Sequence, residues 1–363
     1  MDYLLLVLGL ILLIVGAEGL VKGAARLAAR IGIPSLVIGL TVVAFGTSAP
    51  ELAVSINSAV SNKTELAIAN VVGSNIFNVL FILGLAAVIT PLTISKQLIR
   101  QDVPIMVLVS ALVFYMAMDG LLSLWESGAL VVLLVTYTAF LFVQGKRTEI
   151  HALDTDNSEV DLLTQGHHPV WHSALWVNIG LILLIIGANL LVSSAVNIAR
   201  TFGVSEAIIG LTILAIGTSL PEVVTSIVAS FKGQRDIAVG NVVGSNTFNL
   251  LAVLGISGLF SGEGLVGNTQ LVVQDFPIML GVALLCLPIM LTGAVLSRLE
   301  GALFFGLYLL YSAFLIGDVK DATWLPSLSI VTWNVIFPAT LAVIAISLIR
   351  DWWLKTLKRD KGL

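Results

Sequence analysis

Residues 32–90 align with residues 203–261 without a gap, at a constant offset of 171, and 25 of the 59 positions are identical. A repeat of this length restricts the chain to two copies of one structural unit packed on each other. The likeness extends further in both directions. Gln101-Asp102-Val103-Pro104-Ile105-Met106 recurs as Gln274-Asp275-Phe276-Pro277-Ile278-Met279. Tyr137-Thr138-Ala139-Phe140-Leu141 recurs as Tyr311-Ser312-Ala313-Phe314-Leu315, and Gly16-Ala17-Glu18 aligns with Gly187-Ala188-Asn189.

Each copy is too apolar for water. The 363 residues are 58% hydrophobic and 11% charged, with mean hydropathy +1.03, where a soluble domain carries roughly a quarter charged residues. Apolar segments fall near 3–29, 35–61, 65–89, 103–118, 124–143, 173–199, 206–231, 236–260, 276–293, 299–316 and 327–349. Runs of this length predict membrane-spanning helices. The first reads as a span and not as a cleaved signal, because no basic stretch precedes it. Each repeat then holds five spans. Five is odd, so the second copy enters the bilayer from the opposite side, an arrangement characteristic of secondary transporters. The expected fold is an all-α polytopic membrane protein: two inverted-topology repeats of five transmembrane helices plus an eleventh, C-terminal helix. Its expected parts are 1–143, a cytoplasmic linker 144–172, the second repeat 173–316, and 317–363 with the extra helix and a basic tail.

Basic residues set an expected orientation. With the N-terminus outside, fifteen of the 18 Lys and Arg fall inside, and only Lys63, Arg200 and Lys320 fall outside. That bias places the C-terminus in the cytoplasm and predicts a multi-pass protein of the plasma (inner) membrane. The lone cysteine, Cys286, excludes an intramolecular disulfide. All four histidines, His151, His167, His168 and His172, lie in the polar linker, which reads as solvated chain and not as a metal site.

The polar residues inside the spans repeat as well. Gly46-Thr47-Ser48-Ala49-Pro50-Glu51 returns as Gly217-Thr218-Ser219-Leu220-Pro221-Glu222. A carboxylate at bilayer depth is costly and marks an ion or substrate pathway. Pro50 cannot donate to the carbonyl of Gly46, so the helix is expected to open around Ala44–Thr47. Spacings of three and four put Ser48, Thr47 and Glu51 on one face. The next span of each repeat carries Asn70-Val71-Val72-Gly73-Ser74-Asn75-Ile76-Phe77-Asn78 and Asn241-Val242-Val243-Gly244-Ser245-Asn246-Thr247-Phe248-Asn249. Asn70, Ser74 and Asn78 form a stripe, as do Asn241, Ser245 and Asn249. Collected, these donors are hard oxygens, suited to Ca²⁺ and Na⁺ and unsuited to zinc, copper or nickel.

These paired motifs resemble those of the calcium/cation antiporter superfamily and are most similar to prokaryotic sodium/calcium exchangers. The resemblance covers about residues 1–316. It implies an antiporter, not an enzyme, exchanging Ca²⁺ for Na⁺ by alternating access at a midplane site. It implies Glu51 and Glu222 as shared ligands, with Thr47, Ser48, Thr218 and Ser219 beside them. Ca²⁺ is expected on Glu51, Glu222, Thr47 and Thr218. Ala44 and Ala215 would contribute backbone carbonyls, and Ser74, Asn78, Ser245 and Asn249 would complete the ion sites. No cofactor and no nucleic-acid partner is expected; the partners are the transported ions and the bilayer. Two departures from the family pattern stand out. Ala69 replaces the glycine found before Asn, and Asn78 and Asn249 are both neutral where many relatives carry Asp. A Ca²⁺/H⁺ antiporter is the alternative reading, a channel a third, and an intramembrane enzyme the remote one. Glu18 is expected to pair with Lys22, Asp102 and Asp275 to cap helices, and Glu126 and Glu300 to begin them.

Overall fold

The computed structural model describes residues 1–152, 170–202, 215–291, 293–319 and 322–336, with single positions 338, 340, 342, 345, 346 and 349 beyond them. It is nearly all helix. In order the helices are α1 (Asp2–Ile31), α2 (Ser35–Thr47), α3 (Ala49–Val60), α4 (Thr64–Ile89), α5 (Leu98–Asp119), α6 (Leu124–Ala152), α7 (Val170–Thr201), α8 (Leu220–Phe231), α9 (Arg235–Phe260), α10 (Leu271–Leu291), α11 (Arg298–Val319) and α12 (Leu325–Val331). Among the described residues eight helices are long and apolar enough to cross a membrane, or nine if α2 and α3 are one bent span. Segment 203–214 lies outside the described residues, as do positions 337, 339, 341, 343, 344, 347 and 348 of the expected eleventh span; α12 and a π-helical turn Thr332–Ile336 occupy the start of that span. Residues 144–152 and 170–172 of the expected linker are helical extensions of α6 and α7; His167 and His168 lie outside the described residues.

The internal repeat is visible in the backbone. Helix α3 (49–60) and helix α8 (220–231) start and stop 171 residues apart, as do the α-helical turns Thr64–Phe77 and Arg235–Phe248. Both latter stretches widen into π-helix at the same place, Asn78 and Asn249. The counterparts α1 and α7 pack antiparallel, with Gly9 against Gly187 and Gly16 against Gly180. Antiparallel packing of matched helices is what inversion requires. Their closeness depends on glycine: a Cβ on Gly16 would sit 2.8 Å from the carbonyl oxygen of Gly180.

Four short strands join the repeats at the helix ends. Strand β1 (Leu92–Thr93) pairs antiparallel with β4 (Val295–Leu296), and β2 (Leu121–Leu122) with β3 (Leu265–Val266). The charge rule puts the first pair inside and the second outside, so segments assigned to one side are joined in space.

Helix starts follow local chemistry. Ser123 and Glu126 at α6, and Ser297 and Glu300 at α11, make reciprocal bonds in which the serine N–H donates to the glutamate Oε2 at 2.9 Å. Both are capping boxes. Asp102 and Asp275 are not caps. The helical path already begins near Leu98 and Leu271, so both aspartates fall inside it. Asp102 is buried and accepts from Gln97 at 3.2 Å, Gln101 at 3.3 Å and Tyr137 at 3.4 Å. Asp275 accepts from Tyr311 at 3.3 Å. Glu18 does pair with Lys22 at 2.9 Å, but Lys232 is closer at 2.6 Å and ties α1 to the end of α8.

Burial identifies the centre. The most apolar stretch of α4 is 72% buried and that of α9 is 89% buried, against 17% for α6 and for α11. Helix α9 is also the least apolar of the eight, with a mean hydropathy of 1.5. The polar helix is therefore the innermost one, and the apolar side chains of α1, such as Leu4, Val7, Ile11 and Ile14, point outward. An outward apolar face on this scale needs a lipid solvent.

Candidate functional site

The helix expected to open at the first proline motif is broken there and bent. Helices α2 and α3 meet at 46°, with Ser48 at φ −83°, ψ 6° between them. Pro50 occupies the first turn of α3, where its missing N–H leaves no bond unmade. The same turn starts α8, with Ser219 at φ −87°, ψ 5° and Pro221 one residue inside. Each restart points a glutamate inward: Glu51 and Glu222 are both fully buried.

The two repeats interlock through these residues. Ser48 donates to Glu222 Oε1 at 2.9 Å, and Ser219 donates to Glu51 Oε1 at 2.8 Å. Each carboxylate is thus held by the serine of the other repeat. The Ser74 hydroxyl lies 3.4 Å from that of Ser219. Thr47 donates to Asn241 Oδ1 at 3.1 Å. Thr218 lies beside Glu51, yet its Oγ1 makes no well-formed hydrogen bond.

The asparagine stripes divide into two roles. Asn70 donates to Ser55 at 3.0 Å and to the Glu51 carbonyl at 3.3 Å; Asn241 donates to Ser226 at 3.0 Å and to the Glu222 carbonyl at 3.5 Å. These amides brace the turn that carries the glutamate. Asn78 and Asn249 instead donate across the repeat interface, to Asn246 Oδ1 at 3.0 Å and to Asn75 Oδ1 at 3.1 Å. Ser55, Ser226, Asn75 and Asn246 were not singled out from sequence. Their signal was available, since all four are identical between the repeats while many neighbours are not.

The backbone candidates differ between repeats. The Ala44 carbonyl accepts the Ser48 N–H at 3.0 Å and the Thr47 hydroxyl at 3.3 Å. It is therefore not one of the free carbonyls expected there. In the second repeat the Ser219 N–H turns to Ile216 at 3.1 Å instead of Ala215. Ala215 begins the short turn Ala215–Gly217.

Six of the ten buried side-chain atoms left without a partner among the described residues belong to this cluster. Glu51 Oε2, Glu222 Oε2, Asn78 Oδ1, Asn249 Oδ1, Ser245 Oγ and Thr218 Oγ1 are all buried without a hydrogen-bond partner in the protein. A buried polar group left this way costs roughly 1–3 kcal/mol, more when charged. These six oxygens on two matched motifs are hard donors, the kind that suit Ca²⁺ and Na⁺. Among the described residues no group of three or more His, Cys, Asp or Glu gathers to hold a metal, here or elsewhere.

The family model described as sodium/calcium exchanger protein matches residues 1–143 and 172–317. The chain is 40% identical over 259 residues to the inner membrane protein YrbG of Escherichia coli K12, which covers 71% of this chain and 79% of that one. It is 33% identical over 346 residues to the sodium/calcium exchanger MaX1 of Methanosarcina acetivorans, covering 87% of this chain and 97% of that one. A solved structure of the sodium-calcium exchanger NCX_Mj superposes with a TM-score of 0.74 at 29% identity, over 86% of this chain and 98% of the other. MaX1 and NCX_Mj are named as exchangers, which removes the intramembrane-enzyme reading. The chain is a multi-pass membrane protein and belongs to the sodium/calcium exchanger protein family.

Proposed function

We propose that the chain is a Na⁺/Ca²⁺ antiporter that works by alternating access, with its cations held at the repeat interface between Glu51 and Glu222. The observation that carries this reading is the set of six unpartnered buried oxygens: a glutamate and an asparagine oxygen from each repeat, with Thr218 and Ser245 added by the second. Thr47, Ser48, Thr218 and Ser219 complete the shell around the carboxylates, with Ser74, Ser245, Asn78 and Asn249 below them. Ala215 contributes a carbonyl, and Ala44 does so once its bonds from Ser48 and Thr47 are exchanged for a cation. The ions are cargo, and no resident cofactor enters the mechanism.

Charge supports competition as the coupling device. Glu51 and Glu222 together carry two negative charges, matched by one Ca²⁺ or two Na⁺. Both ions seek the same oxygens, so one must leave before the other binds. The inverted repeat supplies two related halves, and rocking one against the other exposes the site to each side in turn. The parts 1–143 and 173–316 act as these halves. The proposed setting is the plasma (inner) membrane, with the N-terminus outside and the C-terminus cytoplasmic; a relative called an inner membrane protein and the distribution of Lys and Arg support it.

The test is ⁴⁵Ca²⁺ uptake into proteoliposomes loaded with Na⁺, beside choline-loaded controls at matched pH, with Glu51→Gln in parallel. Uptake that requires internal Na⁺ and disappears in the variant is the expected result. Uptake driven by a pH gradient and indifferent to Na⁺ would make the chain a Ca²⁺/H⁺ antiporter. Undiminished uptake by Glu51→Gln would remove that residue from the site.

A further inference from the structure

We infer that Asn75 and Asn246 are positioning residues that fix which way the side-chain amides of Asn78 and Asn249 face. This inference rests on the ion-site reading above. An asparagine amide has an oxygen on one side and an NH₂ of nearly the same size on the other. Only the oxygen attracts a cation, so an amide ligand free to turn over would spend part of its time repelling the ion.

Here the direction is dictated from the backbone. The main-chain carbonyl of Asn75 can only accept, and Asn246 Nδ2 donates to it at 3.3 Å. Asn246 must therefore present Oδ1 at its other end, and that atom takes the Asn78 Nδ2 at 3.0 Å. The Asn78 oxygen is left over, buried and unpartnered. The second copy runs the same way. The Asn246 carbonyl accepts Asn75 Nδ2 at 3.2 Å, Asn75 Oδ1 accepts Asn249 Nδ2 at 3.1 Å, and Asn249 Oδ1 is left over. All four side chains are buried, so water cannot reverse the order of donors and acceptors. Each repeat thus orients the amide ligand of the other. Reversing Asn78 would set its oxygen against Asn246 Oδ1, two acceptors face to face. The π-helical widening that begins at Asn78 and at Asn249 is where the helix departs from regular bonding, next to the two carbonyls that start the order.

Interhelical glue alone would also place four asparagines here, and a double-mutant cycle separates the two roles. The measurement is the apparent Kd for Ca²⁺ of the purified full chain, from the Ca²⁺-induced shift of its thermal unfolding. Asn246→Ala is expected to weaken Ca²⁺ about ten-fold, because Asn78 loses the acceptor that orients it. In an Asn78→Asp background either oxygen serves as ligand and orientation is irrelevant, so adding Asn246→Ala is expected to cost less than about two-fold. The mirror pair is Asn75→Ala, alone and with Asn249→Asp. An equal loss in both backgrounds would show packing and overturn the proposal, as would unchanged affinity in the single variants. If one alanine variant does not fold, its mirror decides; if neither folds, the ring is structural and the proposal fails. A wild-type chain with no affinity for Ca²⁺ or Na⁺ would bring down the ion site itself, whereas affinity kept in Asn246→Ala and in Asn75→Ala brings down only the ring.

Discussion

At the scale of single residues, the site is a set of oxygens held by the opposite repeat. Ser48 and Ser219 each donate to the other half's glutamate. A hydrogen bond to a charged group contributes about 1.5–3 kcal/mol. Ser48→Ala is therefore expected to raise the KM for Ca²⁺ about ten-fold or more in the proteoliposome assay, with Ser219→Ala close to it. A large difference between the two would argue against a symmetric site. Ser123→Ala gives the contrasting case. It breaks a capping box at the edge of the bundle, so thermal unfolding should show a loss of about 1 kcal/mol while KM stays put. The glutamates, the motif hydroxyls and the stripe asparagines were all legible as a repeated pattern. Asn75 and Asn246 were not read as site residues, because their role depends on the partner across the interface, and one strand of sequence shows only neighbours on the same helix.

At the scale of elements, the decisive feature is the restart of α3 after Ser48. Pro50 prevents the chain from bonding straight through Gly46, and the 46° bend aims Glu51 inward. Pro50→Ala restores a donor there. Transport is expected to fall while the unfolding temperature stays close to that of the native chain, since a proline in the first turn of a helix leaves no bond unmade. A variant with full transport would show that the bend is incidental to the site. The α1–α7 pair depends on a different device. A side chain on Gly16 meets the Gly180 carbonyl at 2.8 Å and the Leu184 nitrogen at 2.8 Å. Gly16→Val should thus lower stability by about 1–3 kcal/mol, read as an earlier thermal transition. Asp102 shows the limit of reading elements locally. Two residues ahead of a proline it resembles a cap, yet the helix begins earlier and the carboxylate bonds to Gln97, Gln101 and Tyr137.

At the scale of the whole molecule, the two repeats place chain segments of matched charge at the same end of the bundle. The strand pairs β1–β4 and β2–β3 connect them there, and Lys232 reaches Glu18 beside Lys22. Cysteine labelling checks the proposed orientation in a Cys286→Ser background, the native thiol being buried. Lys63→Cys should react with an impermeant reagent from outside, and Lys96→Cys only after permeabilisation. The reverse pattern would invert the topology.

The sequence by itself determined the class of molecule. A gapless repeat, an odd number of apolar runs per copy and paired carboxylates in apolar surroundings leave few alternatives, because lipid tolerates neither unpaired backbone nor stray charge. Chain-local physics was enough for the long apolar helices and for the glutamates that begin α6 and α11, but not for Asp102 and Asp275. The tertiary structure decided which atoms face one another. It alone showed that each glutamate is held by the other repeat's serine, that the Ala44 carbonyl is already bonded, and that the free oxygens of Asn78 and Asn249 follow from Asn246 and Asn75. Hydrogen-bond direction across an interface depends on the packing of segments about 171 residues apart, and no pattern within one segment records it.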